Sequence, residues 1–315
     1  MLNQQKFYNF LKKHQNNYFI FFSLNIPVNK EDFFNFFSKI LNLDLKYLKK
    51  LLLLKKVFLN FKVIKNFQNL KKKDHLLFVF ESLEERIFIK EQYQKIFFVE
   101  KNSEYFLLFK PSGITCQKSY HHFEYTIVDF LKEKIKNIFY LDDFFYGILH
   151  RLDKVTSGLI LGNITKEAYF YFKNLFKEQK IEKKYLALIH GVLSPKNLKV
   201  NLPLEAQKSN YLVKKVSPTG QNALTFLKTL KVFQNNKYSL IEAKIITGKT
   251  HQIRAHLSYL KHPILYDFKY QSSLKNLYIL LHAYYLKFYC FKEKKEKIFF
   301  LEMPKYFYQK IKEVS

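Results

Sequence analysis

Apolar residues recur at two different periods before position 81. From Asp32 to Leu41 and from Asp44 to Leu54 they fall three and four residues apart, which predicts two helices with Asp32 and Asp44 as N-caps. Val57-Phe58-Leu59-Asn60-Phe61-Lys62-Val63 predicts a strand, a turn at Asn60 and a second strand, and Leu76 to Phe80 predicts another strand after Lys71, Lys72, Lys73 and Asp74. Further on, Tyr105 to Phe109 reads as an apolar strand entering a Lys110-Pro111-Ser112-Gly113 turn, and Gly158 to Leu161 as a buried strand. Lys166 to Gln179 reads as an amphipathic helix with Tyr169, Phe172, Leu175 and Phe176 on one side. Tyr185 to Ile189, Tyr238 to Ile245 and Tyr284 to Phe291 read as strands. Many strands, few interposed helices and no βαβ repeat predict an α+β fold with a mainly antiparallel or mixed sheet.

All seven glycines follow position 112, so the later part of the chain makes tight turns that the earlier part lacks or builds without glycine. This supports a boundary between Ser82 and Gln94, where Glu81, Glu84, Glu85 and Lys90 form a solvated connection. The 54 basic residues outnumber 26 acidic ones, for a formal charge of +28, which is permissive for RNA binding. It is not diagnostic, because lysine, asparagine, phenylalanine and isoleucine abound while arginine, glycine, proline and tryptophan are scarce, as in an AT-rich coding sequence. Cys116 and Cys290 form no CxxC pair and suit a reducing compartment as packing residues. Tyr18 to Ile26 is apolar and follows lysines, but Pro27 opens a polar stretch where a cleavage site would stand. With no apolar run of about 18 residues, the sequence predicts a soluble, cytoplasmic monomer that does not engage a membrane. It leaves open whether the first two dozen residues address an organelle.

Lysine supplies nearly all the positive charge, and only Arg86, Arg151 and Arg254 are arginines. Such positions are candidates for work that needs a planar, multidentate guanidinium. Arg151 lies in His150-Arg151-Leu152-Asp153-Lys154-Val155-Thr156-Ser157-Gly158, and Arg254 in Thr247-Gly248-Lys249-Thr250-His251-Gln252-Ile253-Arg254-Ala255-His256. By itself Asp153 reads as a turn or cap residue. As a nucleophile it would need a cation to keep it ionised, and Arg254 is the candidate, since an arginine within roughly 4 to 6 Å favours the carboxylate. His251, His256, His262 and His282 lack HExxH spacing and a neighbouring cysteine pair, which favours turn and hydrogen-bonding roles over metal. Ser157, His150 and Asp153 lack a Gly-x-Ser-x-Gly elbow and do not read as a hydrolase triad.

Taken together, these segments resemble the RluA family of RNA pseudouridine synthases. His150 to Gly158 is similar to the family's catalytic-aspartate motif, Lys184-Tyr185-Leu186-Ala187-Leu188-Ile189-His190-Gly191 to its tyrosine motif, and Thr247 to His256 with His262-Pro263-Ile264 to its arginine motif. Lys110 to Gly113 and Leu281-His282-Ala283 also fall in family order. The resemblance implies a pseudouridine synthase domain over residues 95–315 that needs no cofactor and no metal. In it Asp153 would be the nucleophile, on the ribose or on the base, Arg254 its partner, and Tyr185 the ring that stacks on uracil and helps remove its C5 proton. Arg151 would fill the gap left by the extruded uridine, and Lys110, Lys154 and Lys249 would join it in binding RNA. Two departures are Lys249, where arginine is usual, and Tyr266 before Asp267, where many members have glycine. Residues 25–82 resemble a degenerate S4 RNA-binding module, with Phe61 and Lys73 where that module usually has glycine; residues 1–24 would be an extension and 83–94 a linker. Within the family, Lys184 to Gly191 and His262 to Asp267 most resemble RluC-type enzymes, implying 23S-type large-subunit ribosomal RNA as the partner. A tRNA enzyme of the same family, a catalytically silent RNA-binding or ribosome-assembly factor, and a nonspecific basic nucleic-acid binder are the alternatives.

Overall fold

The computed structural model describes residues 10–14, 17–23, 28–29, 32–33, 35–37, 45–60, 62–64, 69–80, 92–117, 126–142, 145–207, 213–274, 276 and 278–315. It divides into one unit within residues 1–90 and a second built from residues 91–117 and 126–315.

The first unit contains strands β1 (Phe10–His14) and β2 (Asn17–Ser23), helix α1 (Leu45–Leu53), and strands β3 (Val57–Leu59), β4 (Lys62–Val63) and β5 (His75–Phe80). The strands form one antiparallel sheet in the order β1-β2-β5-β3-β4. Phe33, Phe37, Leu48, Leu51, Val57 and Phe78 are buried together as its core. Residues 10–14 and 17–23, which the sequence places in an extension, pair into this sheet beside β5. Asn60 occupies the turn after β3 at φ 47°. Its Nδ2 donates to Asp74 Oδ1 at 2.9 Å, and its Oδ1 accepts from the His75 amide at 2.9 Å. Lys73 stands at φ 77°, the left-handed conformation for which glycine is the usual residue. The cap at Asp44, half of Asp32 to Leu41, Phe61 and the acidic connection after Phe80 lie outside the described residues.

The second unit opens with β6 (Phe97–Lys101), β7 (Tyr105–Lys110), α2 (Ile127–Lys134), β8 (Ser157–Asn163), α3 (Lys166–Lys177) and β9 (Glu182–His190). It continues through β10 (Asn197–Asn201), β11 (Leu204–Ala206), β12 (Lys214–Val216), β13 (Leu224–Phe233) and β14 (Tyr238–Ile245). Helix α4 (Gln252–Tyr259), β15 (Leu281–Cys290), β16 (Lys295–Phe300) and α5 (Lys305–Val314) follow. Nine strands make one sheet in the order β10-β13-β14-β9-β15-β8-β7-β6, with β16 paired to β15, while β11 and β12 pair separately. The pairing of β15 with β8 is parallel and the rest are antiparallel, so the sheet is mixed and the fold is α+β. Strand β8 is buried along its whole length, as its uninterrupted Gly-Leu-Ile-Leu run requires. On one flank α3, capped by the Thr165 side chain accepting from the Ala168 amide, presses Ala168, Phe172 and Leu175 into an apolar cluster with Leu159, Leu161 and Phe288. Among the described residues, no helix is long and apolar enough to cross a membrane.

The sheet order brings the chemistry together. Ala283 on β15 pairs with Tyr185 on one side and with Gly158 on the other, and Tyr185 also pairs with Ala243 on β14. Small residues therefore border the Tyr185 row. Gly158 is at φ 134°, and a β-carbon there would lie 2.3 Å from the Ala283 carbonyl oxygen, so only glycine lets β8 approach β15 this closely.

Candidate active site

The loop carrying Asp153 runs into β8 and is fastened through its backbone. Leu152 O accepts from Cys116 Sγ at 3.3 Å, Lys154 O from the Gly113 amide at 2.7 Å, and Val155 O from Ser112 Oγ at 2.7 Å. Asp153 O accepts from the Thr156 amide at 3.1 Å. Beneath them Lys110 is fully buried, and its ammonium donates to Pro111 O (2.9 Å), Ile114 O (2.7 Å) and Lys154 O (3.2 Å). An ammonium has three protons, all used here. The RNA contact expected of Lys110 is therefore corrected: the residue is a post under the aspartate loop, with burial lowering its pKa to about 8. The KPSG turn and Cys116 thus supply the anchors of that loop.

Arg254 comes from α4, whose start is fixed by Gln252. The Gln252 side chain accepts from Thr247 Oγ1 (2.8 Å) and from the Lys249 amide (3.0 Å), and donates to Leu224 O (3.0 Å). The guanidinium, 3% exposed, then forks. Nη1 donates to Asp153 Oδ2 at 3.0 Å, while Nε and Nη2 donate to the two oxygens of Asp267 at 2.7 and 2.9 Å. Its carbon lies 4.8 Å from the centroid of the Tyr270 ring. Burial opposes the charge of Arg254, but the hydrogen bonds and charge of Asp267, joined by Asp153, outweigh it and raise the pKa. A buried bidentate pair thus holds the cation that meets Asp153.

The sequence noted Asp267 only as the neighbour of a departure and gave Tyr270 no role. His251, which it read as a turn or hydrogen-bonding residue, sits at φ 57° before α4 and presents Nε2 at 3.8 Å from Asp153 Oδ2. Its Nδ1 lies 2.9 Å from the Tyr270 hydroxyl, which accepts from the Lys214 amide at 2.8 Å. A neutral His251 that accepts the Tyr270 hydroxyl proton at Nδ1 carries its own proton on Nε2, the nitrogen that faces Asp153. Burial lowers the His251 pKa to about 4, against the pull of Asp153.

Tyr185 lies on β9 and is nearly buried. Burial, then the charge of Asp153, pushes its phenol pKa well above the ordinary value. Asp153, Tyr185, Arg254, His251, Arg151 and Lys249 line one cavity of about 620 Å³. Arg151 is exposed and donates from Nη2 to Thr250 Oγ1 at 3.2 Å. Lys154 and Lys249 are half-buried. The other histidines have protein partners: His256 with Thr225 Oγ1 and Leu202 O, His262 with His190 O, and His282 with Ser157 Oγ. Among the described residues no three His, Cys, Asp or Glu side chains gather as metal ligands.

Burial depresses the pKa values of His150 to about 3 and of His251 and His282 to about 4. Below the unfolded value near 6.5 the unfolded chain takes up protons that the folded one refuses. Their contribution to stability is therefore intact above pH 6.5 and is lost as pH falls toward the folded values, at about 1.4 kcal/mol per pH unit for each histidine. Urea midpoints measured from pH 7.5 to 4.5 should decline steadily below 6.5. A flat profile would show that these rings are not buried neutral.

Residues 104–259, which contain Asp153, Tyr185 and Arg254, match the family described as RNA pseudouridylate synthase. Within this chain, these residues are a pseudouridine synthase domain of the RluA family. It is 40% identical over 150 residues to an uncharacterized RNA pseudouridine synthase of Helicobacter pylori strain J99, covering 46% of this chain and 60% of that one. It is 33% identical over 216 residues to the ribosomal large subunit pseudouridine synthase D of Borreliella burgdorferi, covering 66% and 65%. The chain thus spans a little under two-thirds of the length of these curated relatives. The solved structure of human RNA pseudouridylate synthase domain containing 4 has the same fold, with a TM-score of 0.57 at 21% identity over 73% of this chain and 97% of that one. Against the RluA pattern, Tyr266 adopts φ 69° where many members have glycine, so the backbone keeps the left-handed turn into Asp267 without it. Its amide donates to Ser272 Oγ at 3.1 Å and its ring meets Tyr278 edge-on at 5.9 Å.

Proposed function

We propose that this chain isomerises uridine to pseudouridine in structured RNA, with large-subunit ribosomal RNA as the substrate, in the cytoplasm. The observation that carries the reading is the Asp153 carboxylate held at 3.0 Å by a buried Arg254 in the cavity that Tyr185 lines. The reaction breaks the bond between uracil N1 and the ribose, forms one from uracil C5, removes a proton from C5 and places one on N1. Atoms and electrons balance, so no redox partner is required. Asp153 acts as nucleophile, Arg254 orients its side chain through the Nη1 hydrogen bond, and the Tyr185 ring holds the detached base while it turns. Extruding the uridine costs a few kcal/mol, and Arg151, exposed at the cavity, stacks in the space it leaves. The RluC-type features of Lys184 to Gly191, and a relative named for the ribosomal large subunit, support the substrate class.

The decisive experiment is carbodiimide mapping of pseudouridine in total RNA from cells with and without the gene. Loss of specific large-subunit ribosomal signals supports both reaction and substrate. Loss in tRNA keeps the reaction and moves the substrate, and no change overturns the enzymatic reading in favour of an RNA-binding factor. We further infer that the first unit, with its S4-like Asn60 turn, adds RNA affinity. A variant lacking residues 1–90 should stay soluble with a cooperative unfolding transition and bind RNA at least tenfold more weakly; unchanged affinity would remove that role.

A further inference from the structure

Two adjacent lysines on β9 have opposite surroundings. Side chains alternate across a strand, so Lys184 points away from the Tyr185 face and Lys183 shares it. Lys184 lies 3.6 Å from Glu182 and 3.7 Å from Glu242. Lys183 lines the Asp153 cavity, and among the described residues no carboxylate pairs with it. Its ammonium lies 5.3 Å from the centroid of the Phe176 ring, and a β-carbon on Gly248 would stand 3.7 Å from it. The neighbouring His150 imidazole offers no compensation, since its Nε2 accepts from the Leu161 amide. Burial alone lowers the Lys183 pKa to about 8, with no nearby carboxylate acting in the other direction. An enclosed cation without a counter-charge is costly. It is explained where a ligand brings the anion.

We infer that Lys183 receives a phosphodiester flanking the uridine held at Tyr185. This rests on the function proposed above and assigns a further RNA-binding residue within the same cavity. Two strand residues span roughly 7 Å, so a nucleotide whose base lies on the Tyr185 ring places a neighbouring phosphate within reach of Lys183. Phe176 and Gly248 shape the recess, the ring giving the ammonium a face to rest on and the glycine leaving space beside it. Among the described residues the lysine has a ring face but no counter-charge; in the complex the phosphate supplies one.

The test uses the full-length protein and the RNA in which the wild type has been shown to make pseudouridine. Lys183→Gln should raise KM about tenfold with kcat within twofold, and should reduce the slope of log affinity against log salt by about one. On the wild type, a neutral methylphosphonate at the phosphate on one side of the target should weaken binding by a similar factor. The same linkage should weaken Lys183→Gln no further. Additive losses, an unchanged salt slope, or a fall in kcat at constant KM would overturn the assignment. The methylphosphonate on the wild type needs no folded variant. Failure of the broader functional reading would be distinct: the wild type would convert no uridine in any RNA.

Discussion

Asp153→Asn is expected to bind RNA as the wild type does and to make no detectable pseudouridine. Asparagine has nearly the same shape as aspartate, and its carbonyl oxygen can accept the Arg254 Nη1 hydrogen bond now made at 3.0 Å. Asp267 keeps both of its bonds to the guanidinium, and the backbone fastenings from Ser112, Gly113 and Cys116 do not involve the side chain. Structure and RNA contacts should thus survive. What is lost is the anionic oxygen, and an amide is too weak a nucleophile to replace it, so turnover should fall by at least about a thousandfold. Single-turnover conversion and filter binding on the same RNA check both halves. Residual activity within tenfold of the wild type would remove Asp153 as the nucleophile.

Arg254→Ala is expected to lower stability by about 3 to 5 kcal/mol and abolish activity, because it strips the partner from a buried carboxylate. Asp267 is 1% exposed, and two of its hydrogen bonds come from this one guanidinium. Arg254→Lys should also fail, since one ammonium cannot reproduce the fork toward two carboxylates. A double variant, Arg254→Met with Asp267→Leu, separates the effects: removing both buried charges should restore much of the stability and none of the turnover. Urea unfolding and turnover assays decide. A loss below about 1 kcal/mol in the single variant would mean that Asp267 is satisfied by other groups.

Much of this site could be read from the chain because its parts come in short, dense segments. The segments at Tyr105, Gly158, Tyr185 and Tyr238 became strands near the expected bounds: the runs of β7 and β8 carry the uninterrupted hydrophobic signature of near-complete burial, and Tyr238 to Ile245 the alternation of a half-buried strand. Arg254 was singled out by the scarcity of arginine, and it does meet Asp153. Asp267 was harder to read because its value lies in the fork of Arg254, thirteen residues away in sequence. Tyr270 and His251 act through a hydrogen-bond chain that no spacing rule encodes. Lys110 misled because a buried ammonium and a phosphate-binding one look alike in sequence. The turns at Lys73 and Tyr266 lacked their usual glycine, and the backbone took the left-handed conformation nonetheless.

The position of β15 between β9 and β8 has a consequence for timing. On the ribosome, β8 and β9 emerge long before residues 281–290, yet they have no direct pairing and meet only across that later strand. Asp153 and Tyr185 therefore leave the exit tunnel without a common scaffold, and domains fold as units once their residues are available. The last-made central strand acts as the closing stitch: a nascent chain still lacking residues 281–290 has no strand to hold the Asp153 loop beside Tyr185.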